Sequence, residues 1–353
     1  MECGIVGLPG VGKTTLFSAL IGSSPDAFTS GGLKPNLGVA HIPDPRLKTI
    51  ASLITTKKVI PATIQLVDIP GVPPGSDPSK LNSFLSHVRK IDAVCHVVRC
   101  FDDGGGVRPA KDIDQMESEL VLADMVVAES ALDKAGRAAR TGDSESKARV
   151  TVLEKVTAVL EDGRPIRVIE DWTEKEQGIL KSYGMVTAKP VLYVANVGED
   201  DLAGESDAAQ KVRDHAAETG AEAVALCAKL EAELAELDEA DRVEMLESMG
   251  LAEPAVGTMA RAIQRLLGLA SFYTAGEKEV RAWTIRRGET APEAAGTIHS
   301  DIQRGFIRAE CYHVDDLVRH KTEKAIREAG KLRSEGKAYR MQDGDVVHFL
   351  FNV

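Results

Sequence analysis

Short apolar runs alternate with amphipathic stretches along the first half of the chain, and this pattern predicts the first structural elements. Several of the runs are apolar throughout rather than alternating, which is typical of strands covered by helices on both faces. That arrangement favours a doubly wound α/β sheet. The predicted strands are residues 3–6, 39–42, 63–67, 93–98, 191–195 and 223–226.

A different texture, rich in Ala, Glu and Lys, lies between the fourth and fifth predicted strands, from residue 112 to residue 160. Apolar side chains recur there at spacings of three and four, as on one face of a helix. Residues 141–144 separate two such helices as a turn that can cap the second one. We predict an antiparallel helical hairpin inserted into the α/β domain. The alternative is two ordinary surface helices packed on the sheet.

The pattern changes again after residue 271. Strands at 280–285, 306–310 and 346–353, with a helical stretch around 291–302, predict a small α+β domain at the C-terminus. The length of 353 residues agrees with two or three domains.

Charge and cysteine usage narrow the expected partners. The chain has 43 Lys and Arg against 54 Asp and Glu, a net charge of −11, which argues against a protein held to nucleic acid by bulk positive charge. Any contact with nucleic acid is therefore expected to be local, and we expect no sequence-specific binding of DNA. Five widely spaced cysteines without a CxxC pair favour reduced, buried thiols in a cytoplasmic protein. The N-terminus lacks a signal-peptide pattern and no run of about 18 apolar residues occurs, so we expect no membrane partner.

The strongest chemical signal is a phosphate loop, Gly7-Leu8-Pro9-Gly10-Val11-Gly12-Lys13-Thr14, which follows a predicted strand and precedes a predicted helix. Its glycines let successive backbone N–H groups and the helix N-terminus face an anion. The pattern assigns Lys13 to the β- and γ-phosphates of a nucleotide and the Thr14 hydroxyl to Mg²⁺. A structural glycine-rich turn is the alternative.

A second motif, Asp68-Ile69-Pro70-Gly71, ends the strand predicted at 63–67. Asp68 can hold Mg²⁺ through a water, and the Gly71 N–H can sense the γ-phosphate. The next residue is Val72, where Ras-type GTPases keep a glutamine that orients water. A valine cannot position water by hydrogen bonding, so we predict slow intrinsic turnover.

Base recognition is expected from Asn196-Val197-Gly198-Glu199, which follows the strand at 191–195. A guanine-binding NKxD sequence uses its Asp to accept two donors from the base, and here Glu199 places the carboxylate one methylene further out. A site built on paired hydrogen bonds discriminates strongly when one is lost, so guanine specificity is weakened. The alternative is a helix-capping turn. Cys227-Ala228-Lys229 follows a further strand, where related domains place a loop against the base.

Together these residues resemble the YchF subfamily of Obg-related P-loop proteins, the Obg-like ATPases, over nearly the whole chain. The resemblance implies a GTPase-like P-loop domain at 1–110 and 166–270, an inserted coiled-coil hairpin at 111–165, and a C-terminal TGS domain of β-grasp form at 271–353. It also implies ATP in preference to GTP, and association with the ribosome, through the large subunit or the whole particle. The other matching segments are Pro35-Asn36, 43–47, 96–101, 273–276, 279–284, 305–310 and 342–346.

The motifs and the resemblance together define a candidate site. Lys13 and Gly71 are the candidate catalytic residues, and Thr14 and Asp68 the candidate ligands of Mg²⁺. The candidate nucleotide contacts are Gly10, Val11, Gly12, Lys13, Thr14, Thr15, Asn196, Val197, Glu199, Cys227 and Ala228.

The chain departs from the family pattern at two places near the phosphates. Gly10 replaces an asparagine that is a potential ligand for a monovalent cation, so we expect no potassium stimulation through that side chain. In the first switch, Gly32 stands where the family has a threonine for Mg²⁺, with Thr29 or Ser30 as substitutes. The leading prediction is a slow Mg²⁺-dependent ATPase. The alternatives are a nucleotide-gated ribosome-binding protein with negligible hydrolysis and a GTP-preferring GTPase.

Six basic residues near the C-terminus form a candidate stripe for ribosomal RNA, with a solvated helix face as the alternative. They are Arg319, Lys321, Lys324, Arg327, Lys331 and Arg333.

Overall fold

The computed structural model describes residues 1–23, 34–73, 75–140 and 143–352. They form two compact units. The first unit comprises Met1–Gly38 and Gln65–Thr258, and the second comprises Val39–Ile64 and Met259–Val353. The bounds of the three predicted domains remain a prediction. The two compact units differ from those bounds in one respect, since residues 39–64, which were assigned to the nucleotide-binding domain, pack with the C-terminal residues.

Nine strands lie where apolar runs predicted them, and three further strands were not predicted. The described strands are β1 Glu2–Val6, β2 Asn36–Ile42, β3 Val59–Ile60, β4 Ala62–Asp68, β5 Ala93–Cys100, β6 Val191–Val197, β7 Glu222–Leu226, β8 Leu269–Ala275, β9 Val280–Arg286, β10 Phe306–His313, β11 Arg333–Glu335 and β12 Asp345–Phe351.

The helices account for most of the remaining described residues. They are α1 Lys13–Ile21, α2 Pro45–Leu53, α3 Pro78–Val88, α4 Pro109–Ala139, α5 Ser144–Glu161, α6 Glu174–Ser182, α7 Asp207–Glu218, α8 Ala228–Glu236, α9 Glu239–Ser248, α10 Ala255–Leu266, α11 Ala291–Ile298, α12 Ser300–Arg304, α13 Val314–His320 and α14 Glu323–Glu328.

One six-stranded sheet has the order β2-β4-β1-β5-β6-β7, and its strands β1, β5, β6 and β7 lie wholly in the first unit. Strands β4, β1, β5, β6 and β7 pair in parallel. Every residue of β6 is buried, as a strand covered on both faces requires. The predicted doubly wound α/β sheet is therefore confirmed, and the carboxyl ends of β1, β4 and β6 carry the loops with the predicted motifs.

The helices α4 and α5 form the predicted hairpin, and they pack on each other through an apolar cluster that includes Ala128 and Leu153. Asp143 caps α5 by accepting from the N–H of Ser146, whereas residues 141 and 142 of the predicted turn lie outside the described residues. The fully buried carboxylate of Asp124 on α4 accepts from the backbone N–H of Thr187 at 2.7 Å. A buried carboxylate with such partners fixes the hairpin to the rest of the unit.

A second polar cluster joins α4 to the central sheet. Glu117 on α4 accepts hydrogen bonds from Arg167 and from the hydroxyl of Tyr193 on β6. His215 on α7 lies 3.1 Å from the same hydroxyl. Burial alone would raise the pKa of Glu117, but His215, Arg167 and Tyr193 outweigh it and lower the pKa to about 2. The carboxylate is therefore ionised and held by three elements.

The second unit is an α+β domain built on a mixed sheet in the order β11-β10-β12-β8-β9-β3. Phe272, Phe306 and Phe349 lie in its apolar core with the alanines of α11. The predicted helix at 291–302 is split, since His299 is extended, ending α11 and capping α12 through its ring nitrogen. The β-grasp class is confirmed, although β3, β8 and β11 are not in the sequence-based prediction.

Residues 39–64 are tied to the rest of the second unit by an arginine. The guanidinium of Arg46 binds Asp44 at 2.9 Å and Asp343 at 2.8 Å, and it lies over the ring of Tyr273. The Tyr273 hydroxyl donates to Asp44, and Asp343 accepts from the backbone N–H of Ser271 at 2.8 Å. The segment 43–47, which resembles the family pattern, thus has a packing role in this unit.

The five cysteines are all buried, as expected from their spacing. Within the part of the chain that the structure describes, no helix is long and apolar enough to cross a membrane.

Candidate functional site

The phosphate loop joins β1 to α1, and its backbone explains its glycines. Gly12 caps α1 in the left-handed region with φ of 91°, and a β-carbon there would lie 2.3 Å from the side-chain nitrogen of Asn196. Gly10 also has a positive φ, 79°, but a β-carbon there would have no atom of the described residues within 4 Å. The loop therefore presents the N-terminus of α1, whose unpaired N–H groups favour an anion.

Lys13 begins α1 and folds back over the loop. Its Nζ donates to the carbonyl oxygen of Leu8 at 2.8 Å, and its side chain is only 7% exposed. Burial lowers the pKa of Lys13 to about 8, while the nearby Asp68 opposes the shift. The positive charge of this buried ammonium is only partly balanced by Asp68, so a phosphate group that binds beside it is stabilised. The geometry therefore suits an anionic ligand.

Thr14 and Asp68 meet at the carboxyl end of β4. The Thr14 hydroxyl donates to Oδ2 of Asp68 at 2.9 Å, and the side-chain amide of Asn36 donates to the same oxygen at 3.1 Å. Oδ1 of this buried carboxylate has no hydrogen-bond partner among the described residues. An orphaned buried carboxylate oxygen is costly unless an ion or water meets it. Hydroxyl and carboxylate oxygens are the ligands Mg²⁺ prefers, so the pair fits that ion.

Gly71 lies against the phosphate loop. A β-carbon on Gly71 would be 2.7 Å from the carbonyl oxygen of Gly7 and 2.7 Å from Lys13 Nζ. Only a glycine lets this segment approach so closely. The predicted position of Gly71 beside the phosphates is therefore compatible with its surroundings.

Val72 lines a mostly apolar cavity of about 80 Å³, whose wall also includes Ser76, Gln115 and Glu119. Leu8 of the phosphate loop, Leu81 and Phe84 of α3, and Met116 of α4 line that cavity with it. The side chain thus packs against the core of the first unit and has no polar group with which to orient water.

Asn196 braces the predicted base site from the end of β6. Its Nδ2 donates to the carbonyl oxygen of Val11 at 2.9 Å, and its Oδ1 accepts from the N–H of Ala228 at 2.9 Å. The amide is buried, so both bonds are shielded from water. Asn196 therefore holds the phosphate loop and the start of α8 in a fixed relation, while Val197, Cys227 and Ala228 bury their own side chains.

Glu199 lies three residues further on, in a short 3₁₀ helix, and is exposed. Its Oε1 is 3.0 Å from Nζ of Lys229 in the first turn of α8. Thr15, the remaining predicted contact, is half-buried in the first turn of α1.

The structure thus brings together the predicted residues of three separate motifs. Residues 24–33, which include Thr29, Ser30 and Gly32 of the first switch, lie outside the described residues, as does Pro74. Sequence reasoning missed Asn36 and the pairing of Lys229 with Glu199. The placement of Asn36 just after the first switch was the one available signal for the former.

The fold and this site define a P-loop nucleotide-binding protein of the GTPase-like α/β class. Two family models match the chain: MMR_HSR1, a 50S ribosome-binding GTPase, at residues 2–131, and YchF-GTPase_C, described as a protein of unknown function (DUF933), at residues 269–352.

Full-length relatives agree with both models. "Ribosome-binding ATPase YchF" of Pasteurella multocida is 43% identical over 100% of this chain and 99% of that protein. The protein of the same name from Bacillus subtilis is 42% identical over the whole of both chains. The solved structure of the Schizosaccharomyces pombe YchF GTPase is 33% identical, covers 99% of this chain and 97% of its own, and gives a TM-score of 0.88. The chain belongs to the YchF family.

Proposed function

We propose that this protein binds ATP together with Mg²⁺, hydrolyses it slowly, and associates with the ribosome. The observation that carries the nucleotide proposal is the constellation of Lys13, Thr14 and Asp68 at the N-terminus of α1, with one oxygen of the buried Asp68 carboxylate unpartnered among the described residues. Relatives named ribosome-binding ATPases over their full length support the same reading.

Each residue has a distinct part in this proposal. Backbone N–H groups of residues 10–15 bind the phosphates, and Lys13 leaves its contact with Leu8 to neutralise the β- and γ-oxygens. Thr14 and Asp68 would hold Mg²⁺, directly or through water, and the ion would neutralise charge on the phosphate oxygens. Gly71 would donate its N–H to the γ-phosphate. Asn196 keeps the phosphate loop and the base loop in register.

The base preference rests on Glu199. Guanine recognition by an aspartate needs its carboxylate to accept two donors at once, and the longer Glu199 side chain is exposed and paired with Lys229. We therefore infer that ATP binds more tightly than GTP, with the loops around Val197 and Ala228 against the adenine.

Val72 favours one alternative. Because the Val72 side chain offers no hydrogen bond to water, hydrolysis depends on another group or on a partner. A nucleotide-gated ribosome-binding protein with negligible turnover is consistent with that observation.

Phosphate release from ATP tests the nucleotide proposal. The wild-type protein should release phosphate slowly in the presence of Mg²⁺, the rate should fall to background on chelation, and Lys13→Ala should abolish it. Competition with unlabelled ATP and GTP measures base preference. Phosphate release that survives Lys13→Ala, or GTP binding tenfold tighter than ATP, would overturn the assignment. Nucleotide-dependent ribosome binding without turnover would support the alternative.

The surface proposed for the ribosome includes the exposed basic residues of α13, α14 and the segment after it. Arg319, Lys324 and Arg327 are exposed, whereas Arg333 is held by the buried Asp345 at 2.8 Å and is withdrawn from the stripe. Reversing the charges of Arg319, Lys324 and Arg327 to glutamate should reduce co-sedimentation with ribosomes and make the remainder less dependent on salt. Unchanged co-sedimentation would exclude this surface. Deletion of residues 271–353 is a poorer test, since residues 39–64 would lose their packing partners.

A further inference from the structure

An ion pair links the two loops that flank the proposed base site. Lys229 Nζ lies 3.0 Å from Glu199 Oε1, and the side chains are 68% and 53% exposed. The same loops are joined below by the buried amide of Asn196, which accepts from the N–H of Ala228, the residue before Lys229. The pair therefore lies at the outer side of a rigid junction, where the carboxylate of an NKxD motif would meet guanine.

The hydrogen-bonding edges of the two purines differ in a way that this pair can detect. Guanine presents two donors, the ring N1–H and the exocyclic amine, and a carboxylate with both oxygens available accepts them best. Adenine presents an amine donor and an N1 acceptor, whose lone pair a free carboxylate repels. The Lys229 ammonium is itself a strong donor, and it occupies an oxygen of Glu199 while neutralising its charge.

We propose that Lys229 is a specificity-determining residue, which holds Glu199 in an ion pair and so makes guanine nucleotides compete with an internal cation for the carboxylate. This inference rests on the proposed binding of ATP at the same site. It predicts that Glu199 alone does not set the base preference. Removing the Lys229 ammonium should therefore bring the affinity for GTP closer to the affinity for ATP.

The test measures dissociation constants of ATP and GTP, with Mg²⁺, for the full chain and five variants. Lys229→Ala should tighten GTP binding about fivefold and leave ATP binding unchanged or weaker, a size in keeping with an exposed ion pair. Lys229→Arg should preserve the wild-type ratio, because a guanidinium also binds a carboxylate. Lys211→Ala, an exposed lysine on α7, makes the same change in net charge and should alter neither constant.

A double variant separates the ion pair from general charge. In a Glu199→Gln background, Lys229→Ala should no longer change the ratio of GTP to ATP affinity, since no carboxylate remains to be released. An unchanged ratio in Lys229→Ala, or the same shift in both backgrounds, would overturn the inference while leaving ATP binding intact. A wild-type protein that binds neither nucleotide, or prefers GTP, would overturn the proposed function as well.

Discussion

Arg46 offers a direct measure of what fixes residues 39–64 in the second unit. Replacing it with leucine keeps an apolar stem over Tyr273 but removes every guanidinium hydrogen bond to Asp44 and Asp343. The Asp44 side chain is 8% exposed and, among the described residues, keeps only the Tyr273 hydroxyl and a local backbone donor, so its charge is left poorly compensated. Asp343 is 31% exposed and water can reach it.

The expected loss follows from those contacts. Hydrogen bonds to charged groups are worth about 1.5–3 kcal/mol each, and taking the lower value for each carboxylate gives a loss of about 3 kcal/mol. With a slope of about 1.3 kcal/mol/M for a unit of this size, the urea midpoint should fall by about 2 M.

The two tryptophans of the chain provide the assay, because Trp172 belongs to the first unit and Trp283 to the second. In a Trp172→Phe background, the fluorescence of Trp283, which stacks on Phe272, reports the unfolding of the second unit. The Arg46→Leu variant should unfold at lower urea, and Arg46→Lys should lie between it and the parent, since one ammonium cannot bind both carboxylates in the same way.

Arg304→Leu is the matched control. Arg304 lies in the same unit and pairs with Asp301, but it is 72% exposed, so its loss should cost less than about 0.5 kcal/mol. If Arg46→Leu shifts the midpoint no further than Arg304→Leu, the reasoning about this cluster is wrong. Burial alone would raise the pKa values of Asp44 and Asp343, but Arg46 outweighs it and lowers them. Their contribution is therefore complete above the ordinary Asp pKa, and the difference between variant and parent should shrink as the pH falls below it.

Three further predictions concern the first unit. Since burial lowers the pKa of Lys13 to about 8, ATP affinity measured by calorimetry should fall about twofold between pH 7 and 8. Above pH 8 the fall should approach tenfold per pH unit, and a flat profile to pH 9.5 would contradict this. Asn196→Ala removes the partner of two buried backbone groups, the carbonyl of Val11 and the N–H of Ala228. Denaturant unfolding followed through Trp172 should therefore show a free energy of unfolding lower by about 3 kcal/mol, and a decrease below about 1 kcal/mol would refute the bracing role of Asn196. Glu117→Gln should lower the melting temperature at pH 7. The difference in melting temperature between variant and parent should shrink as the pH falls below about 4.5 toward the folded pKa of about 2. An equal difference at every pH would exclude the ionised carboxylate as the cause.

Local pattern was sufficient for most of the first unit. The fully apolar runs predicted the buried parallel strands, and the three-and-four spacing predicted both helices of the hairpin, because periodicity directly reflects which faces are buried. The phosphate loop was recognisable because its glycines, lysine and threonine are adjacent in sequence. The helix at 291–302 was predicted as one piece, since nothing in its apolar spacing reveals that His299 adopts an extended backbone.

The amino-acid sequence by itself determined nine of the twelve described strands, the helical hairpin, the phosphate loop, the motif that carries Asp68 and the family. Only the tertiary structure decided which distant groups meet. Arg46 and Asp343 are 297 positions apart, and Asn196 joins Val11 across 185. Two further features also depend on contacts between residues that are distant in sequence. They are the packing of residues 39–64 with the C-terminal residues and the pairing of Lys229 with Glu199. Such contacts arise from the packing of whole elements, and no local periodicity encodes them, because each partner alone looks like an ordinary surface or loop residue.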